Sequence, residues 1–178
     1  MTPGKNRGAD GGVYGRTGIP VNRAGGSRRA RPARDGENGP VSDPDLTIQA
    51  VLSEELRAWL TAELRYPVLA VNSDDGPPSQ SVMWFDLDPV DPNVILMNTK
   101  VQRLKYRQLQ DDPRVSLLFE DGETWLAMRG EVELDATVGR ALEHIKGLAR
   151  RYGSDPARFD GQQRVMIRMR VEKVIRHG

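Results

Sequence analysis

Apolar residues are almost absent from the first forty positions, where Val13, Ile19 and Val21 are the only aliphatic residues larger than alanine after Met1. So little apolar surface cannot offset the entropy lost on ordering a segment of that length. The texture changes near Ser42. We therefore expect residues 1–41 to be a disordered Gly/Arg-rich tail and residues 42–178 to be the folded domain. Over residues 53–64, Leu56, Trp59, Leu60 and Leu64 recur at helical spacing and predict a helix. Ser53 suits its N-cap, Glu54 and Glu55 suit the positive end of its dipole, and Tyr66-Pro67 stops it.

Strand patterns follow. Residues 68–72 are a short apolar run, and the turn residues Asp74 to Pro78 link it to a mixed strand over 80–87. A second turn spans 88–93, with two prolines, before an apolar strand over 94–99. A short helix over 101–110 comes next, then a strand over 114–119, the turn pair Asp121-Gly122 and an alternating strand over 124–134. A helix over 137–152 ends at Gly153, and Val165, Ile167, Met169 and Val171 alternate strictly in a last strand over 163–175. Six strands with short turns and three peripheral helices predict a mainly β (α+β) domain, an antiparallel barrel.

Charge and composition narrow the function classes. The formal net charge of +1 conceals an asymmetry: residues 1–40 carry eight Lys or Arg against three Asp or Glu, and the rest of the chain is net acidic. The segment SRRARPAR suits contact with a polyanion, but Tyr14 is the tail's lone aromatic residue, which speaks against base stacking. Nucleic acid is not the expected partner. With no cysteine, thiolate catalysis, disulfides and cysteine metal sites are excluded, and His144 and His177 are too few and too far apart to predict a metal site. No apolar run approaches the roughly 20 residues that cross a membrane, and no secretory apolar centre is evident. The expected location is cytoplasmic.

No side-chain catalytic template is present: there is no nucleophile elbow, P-loop or dinucleotide fingerprint. His144 is expected on a helix surface, and the Asp74-Asp75 and Asp111-Asp112 pairs in turns. Catalytic side chains are thus not identifiable, and any enzymatic chemistry would come from a cofactor. The stretch NTKVQRLKYRQLQDDPRVSLLF, residues 98–119, sets Arg103, Lys105 and Arg107 at the start of a short helix. It has two readings. One is an amphipathic helix with Leu104 and Leu109 inward and its charges in water. The other is a phosphate site combining helix N–H groups, Arg103, Lys105 and the Thr99 hydroxyl.

The order of SQSVMWFDLD, VILMNT, R-x-K-x-R-x-L, DDPRVSLLF, MRGEVEL and QRVMIRMRVEKV resembles the pyridoxamine-phosphate-oxidase-like superfamily of flavin and deazaflavin proteins. The resemblance implies a six-stranded split β-barrel and a homodimer with its site at the subunit interface. The Arg-x-Lys spacing is most similar to the branch using the deazaflavin coenzyme F-420. In that branch Arg103 and Lys105, with Thr99 beside them, would hold the coenzyme's phosphate, and Ser81, Met83 and Trp84 would lie along its ring and ribityl chain. The implied activity is hydride transfer from reduced F-420 to a small organic acceptor such as a quinone, an enone, a tetrapyrrole or a xenobiotic.

Two departures matter. Gln108 stands where that branch has Asn, which keeps flavin mononucleotide (FMN) as the alternative cofactor, as in FMN-dependent oxidoreductases of this fold. A proline expected in the last strand is missing, so that strand should run longer. A non-catalytic protein binding deazaflavin, flavin or haem is the remaining alternative. Elsewhere, Trp59 is expected in the core, and Trp125 either in the core or at a pocket. Arg129-Gly130 has the makings of a bulge, and Arg150, Arg151 and Tyr152 belong to a covering helix whose end could meet an anionic tail.

Overall fold

The computed structural model describes residues 46–177; the expected tail and its boundary at Ser42 lie outside the described residues. Among the described residues, eight strands form one antiparallel sheet: β1 (Leu46–Gln49), β2 (Val68–Val71), β3 (Ser79–Val82), β4 (Phe85–Leu87), β5 (Val94–Lys100), β6 (Arg114–Asp121), β7 (Thr124–Asp135) and β8 (Arg164–His177). Helices α1 (Glu54–Ala62), α2 (Leu104–Asp111) and α3 (Val138–Arg151) and a 3-10 turn, Pro156–Phe159, complete it. The class is as expected, mainly β with peripheral helices, but the count of six strands is corrected to eight. Two physical reasons account for the difference. β1 is a four-residue strand, too short for its Leu-Thr-Ile-Gln alternation to stand out and with burial that does not follow it, and it pairs with the end of β8. The single strand expected over 80–87 breaks at Met83 and Trp84 into β3 and β4.

That break organises the molecule. The strand order is β3-β2-β6-β7-β8-β5-β4, so β3 and β4 stand at opposite ends of the path, although only Met83 and Trp84 separate them in the chain. The sheet must therefore curl until its two ends nearly meet. The result is a barrel left split between β3 and β4.

Local signals behave as the residues dictate. The Ser53 hydroxyl accepts from Leu56 N at 3.3 Å and caps α1. Helix α3 ends in a Schellman arrangement: Gly153 has φ 67°, its N–H donates to Arg150 O, and Ser154 N donates to Ala149 O. The register shifts at Arg129/Gly130 between β7 and β8, and a Cβ on Gly130 would sit 1.9 Å from Arg170 O. Glycine is required there by the close approach of two backbones. The last strand does run on, to His177, and its far end pairs with both β1 and β7.

The main core lies inside the curl, built on Phe85, Met97, Leu117, Phe119, Met128 and Met169 and closed by Leu56 and Leu60 of α1. Helix α3 covers the opposite face through two smaller clusters. One joins Ala141 to Val94, Leu96 and Met166, and the other joins Ile145, Leu148 and Tyr152 to Trp84 and Phe159. β5 is thus covered on both sides, which is why six consecutive residues, Val94 to Thr99, are buried. Of the expected α1 face, Leu64 lies beyond the helix and is half-exposed.

Candidate functional site

At the split between β3 and β4 lies a cavity of about 350 Å³. The strand break contributes Ser81, Val82, Met83 and Trp84; the end of β5 contributes Asn98, Thr99 and Lys100; and the start of α2 contributes Arg103 and Lys105. Ile145 and Leu148 of α3, Phe159 and Arg164 close the remaining wall. All six residues singled out in the sequence, Arg103, Lys105, Thr99, Ser81, Met83 and Trp84, therefore meet around one space, although up to 24 positions separate them along the chain.

The start of α2 distinguishes the two readings of its charges. Arg103 is the N-cap and makes no side-chain capping bond, and the first turn contains no acidic residue. A helix end stabilised only for itself would carry Ser, Thr, Asp or Asn at the cap and acids in the first turn. Here two cations crowd the positive end of a dipole instead, an arrangement that an external anion would relieve. Leu104 is 56 % exposed while Leu109 is buried, so the tidy amphipathic helix with both leucines inward is corrected. Lys105 reaches back to the end of β3. Its Nζ donates to Ser81 Oγ and lies 3.0 Å from Met83 Sδ. Burial, with Arg103 and Arg164 nearby, lowers its pKa to about 8. Among the described residues none that lines the cavity is an acid, and four are cations.

One wall is aromatic. Trp84 stacks on Tyr152 with centroids 5.1 Å apart and planes 8° from parallel, and meets Phe159 edge-on. The Tyr152 hydroxyl donates to Arg65 O and accepts from Phe85 N, so this residue is a brace for the strand break. Arg151 is committed to Asp86 at 2.9 Å. These ties give the end of α3 a structural role, and it contributes neither Arg150, Arg151 nor Tyr152 to the cavity lining. Trp59 packs against the main core under the Arg65 guanidinium, and Trp125 stacks on His177 away from the cavity. Gln108 accepts from Ser79 Oγ at 2.8 Å and does not line the cavity.

Two features escaped sequence reasoning. Arg164, at the start of β8, is 9 % exposed, and its Nε donates to Asn98 Oδ1 at 2.7 Å. It lies two residues after the turn around Gly161 and just before the alternating pattern, where a cation reads as a strand flank. His144 is not on the helix surface as expected: its Nδ1 lies 3.2 Å from Asn98 Nδ2, and its Nε2 is buried without a partner. Burial lowers its pKa to about 4, so the ring is neutral near pH 7. A lone histidine at that position of an amphipathic helix carries no signal of burial. Among the described residues, no group of three or more His, Asp or Glu is placed to hold a metal ion, and no helix is long and apolar enough to cross a membrane.

Residues 52–178, most of the chain, match the pyridoxamine 5'-phosphate oxidase family. The chain belongs to that family. A solved F420 reductase superposes with a TM-score of 0.56 at 26 % identity, covering 66 % of this chain and 94 % of its own. The conserved hypothetical protein Rv2991 from Mycobacterium tuberculosis gives 0.58 at 25 % identity, covering 70 % and 84 %. HupZ from Group A Streptococcus, at 16 % identity and a TM-score of 0.53, shares the fold. No curated protein matches in sequence.

Proposed function

We propose that this chain is an oxidoreductase that binds the deazaflavin coenzyme F-420 in the split of its barrel and uses it to reduce a small organic acceptor. The observation that carries this reading is the start of α2. Two cations, Arg103 and Lys105, occupy a helix N-terminus without a side-chain cap, beside a cavity with no acid among its described lining residues. Backbone N–H groups, a planar guanidinium and an ammonium together suit a phosphate. The Thr99 hydroxyl, buried at the end of β5, adds a donor. The rest of the lining fits a planar ring: Met83 and Trp84 present apolar and aromatic surface, and Trp84 is held rigid by Tyr152. The solved F420 reductase among the structural relatives supports the choice of coenzyme.

When bound, reduced F-420 supplies a hydride, with solvent supplying the proton that completes reduction of the acceptor. The chain's own residues bind, orient and exclude water. Arg103, Lys105 and Thr99 would anchor the phosphate, and Ser81, Met83 and Trp84 would set the position of the ring. No lining side chain is assigned as a proton donor. FMN, the alternative cofactor in this fold, meets the same cations through its own phosphate. Gln108, the residue that would point toward FMN, is engaged with Ser79 outside the cavity.

The functional unit we propose is a homodimer. Val68 pairs in register with both Val82 and Leu118, which puts the three side chains in a row on one sheet face. Val82, at the cavity, is 65 % exposed and Leu118 41 %, and Tyr66 beside them is also exposed. A second copy covering this row would close the cavity mouth.

Steady-state oxidation of reduced F-420 in the presence of quinones, enones, tetrapyrroles and nitroaromatic xenobiotics tests the activity. Turnover with one acceptor class establishes an enzyme. Tight coenzyme binding without turnover by any class establishes a carrier instead.

A further inference from the structure

Of the cavity's cations, Lys100 and Arg164 have no part in the contacts proposed above, and Arg164 is the buried one. Arg164 is more than nine-tenths buried; its Nε and Nη1 are hydrogen-bonded, its Cζ lies 5.5 Å from the Phe159 ring centroid, and only Nη2 has no partner among the described residues. Nε donates to Asn98 Oδ1 at 2.7 Å and Nη1 to Gln162 Oε1 at 3.2 Å. Both acceptors are neutral. A buried guanidinium without a carboxylate is costly, and such groups persist where an anion completes them. His144 Nε2 is the only buried side-chain polar atom without a partner among the described residues, so Nη2 of Arg164 is not sealed away from the cavity that the residue lines.

The neighbouring bonds fix the orientation of the guanidinium and so the place of Nη2. Asn98 Nδ2 donates to Ala141 O at 2.9 Å, which commits the amide orientation and turns Oδ1 toward Arg164. Asn98 is itself buried on β5, and Ala141 is a fully buried residue of α3. The guanidinium is therefore held by Asn98, itself tied to α3, and by Gln162 before any ligand arrives, at little further cost in side-chain entropy on binding. Burial and Arg103 lower the Arg164 pKa to about 10, and Arg164 in turn depresses Lys105. The three cations thus share one field.

We propose that Arg164 is a third anion-binding side chain of this cavity, aimed by Asn98, and that the site takes a ligand presenting two negative charges. One charge would meet Arg103 and Lys105, and the other Arg164. Suitable chemistry is a phosphate monoester dianion or a phosphodiester with a neighbouring carboxylate. The inference rests on reading the cavity as an anionic-coenzyme site, but not on which coenzyme occupies it.

The test uses inorganic pyrophosphate and phosphate as probes on the full chain, at pH 7.5. Affinity is read by thermal shift, and the Arg164 Nε–H by NMR. In the wild type, pyrophosphate is expected to bind more tightly than phosphate and to move the Arg164 Nε signal. Arg164→Gln is expected to lose roughly tenfold or more in pyrophosphate affinity, and Arg164→Lys to recover part of it. Pyrophosphate affinity unchanged in Arg164→Gln, or an Arg164 Nε signal unmoved at saturation in the wild type, would overturn the proposal. The wild-type signal decides even if Arg164→Gln does not fold.

Titration of F-420 and FMN separates this inference from the functional reading. If Arg164 responds to pyrophosphate but neither coenzyme binds, the coenzyme assignment fails and the anion site stands. If a coenzyme binds wild type and Arg164→Gln alike, the reading stands and Arg164 has no anchoring role.

Discussion

At the scale of single residues, the cavity is defined by what surrounds Lys105. Its ammonium is desolvated and shares space with Arg103 and Arg164, and its pKa falls to about 8. The sign of the resulting pH dependence follows. Between pH 8 and about 10.4, the unfolded-state value, the unfolded chain binds the proton and the folded, ligand-free chain does not. The Lys105 contribution to stability therefore rises with pH across that window. Anion binding runs the other way, because it needs the charged lysine. We expect phosphate-bearing ligands to bind more weakly at pH 9 than at pH 7.5, with proton uptake on binding near pH 8.5. Calorimetry in two buffers of different ionisation enthalpy measures that uptake, and Lys105→Gln should abolish it.

Replacing both Arg103 and Lys105 by alanine should weaken coenzyme binding by about 100-fold or more, since each charge-assisted contact contributes about 1.5–3 kcal/mol. The melting temperature should hold or rise, because two repelling cations leave the positive end of α2. Native-like melting with unchanged affinity would remove the phosphate site from the account.

At the scale of elements, what the sequence made legible was whatever rests on local chemistry. Ser53 at the cap of α1, Gly153 at the end of α3, the Asp74–Pro78 turn and the alternation of β8 each follow from one residue's conformational needs or from one face of burial. What it hid depends on the third dimension. Residues 80–87 read as one strand because nothing local marks the jump from one end of the sheet to the other at Met83-Trp84. β1 escapes notice because four residues are too few to separate a strand from a loop before the pairing with β8 is known. Arg164 and His144 read as surface groups because their burial comes from a helix that packs over β5 and β8. The Arg129-Gly130 pair is the opposite case, since the sequence flagged a bulge and the backbone approach explains it. Gly130→Ala would drive a methyl group into Arg170 O. Chemical denaturation should show a loss of about 2–4 kcal/mol, or no folded protein, with the size set by how far β8 can shift.

At the scale of the whole molecule, a sheet whose two ends nearly meet leaves a groove along the split, and the groove is where the cations gather. The row Val82, Val68 and Leu118 leaves apolar surface exposed beside that groove. Covered by a second copy, it accounts for an otherwise unfavourable surface. Val82→Glu together with Leu118→Glu should shift the protein toward monomer in sedimentation velocity and weaken coenzyme binding with it. If the protein is monomeric before mutation, the exposed row needs another partner and the cavity stands alone.

The central claim is that the split of this barrel holds a deazaflavin through Arg103 and Lys105. Its most direct test is a pair of fluorescence titrations on the purified chain, one with F-420 and one with FMN, repeated on the Arg103→Ala/Lys105→Ala variant. Preferential F-420 binding is expected in the wild type, and its loss in the variant while the fold is retained. Preferential FMN binding would replace the coenzyme but keep the site. Binding of neither, or equal binding by the variant, would contradict the claim and leave the start of α2 as a solvated helix end.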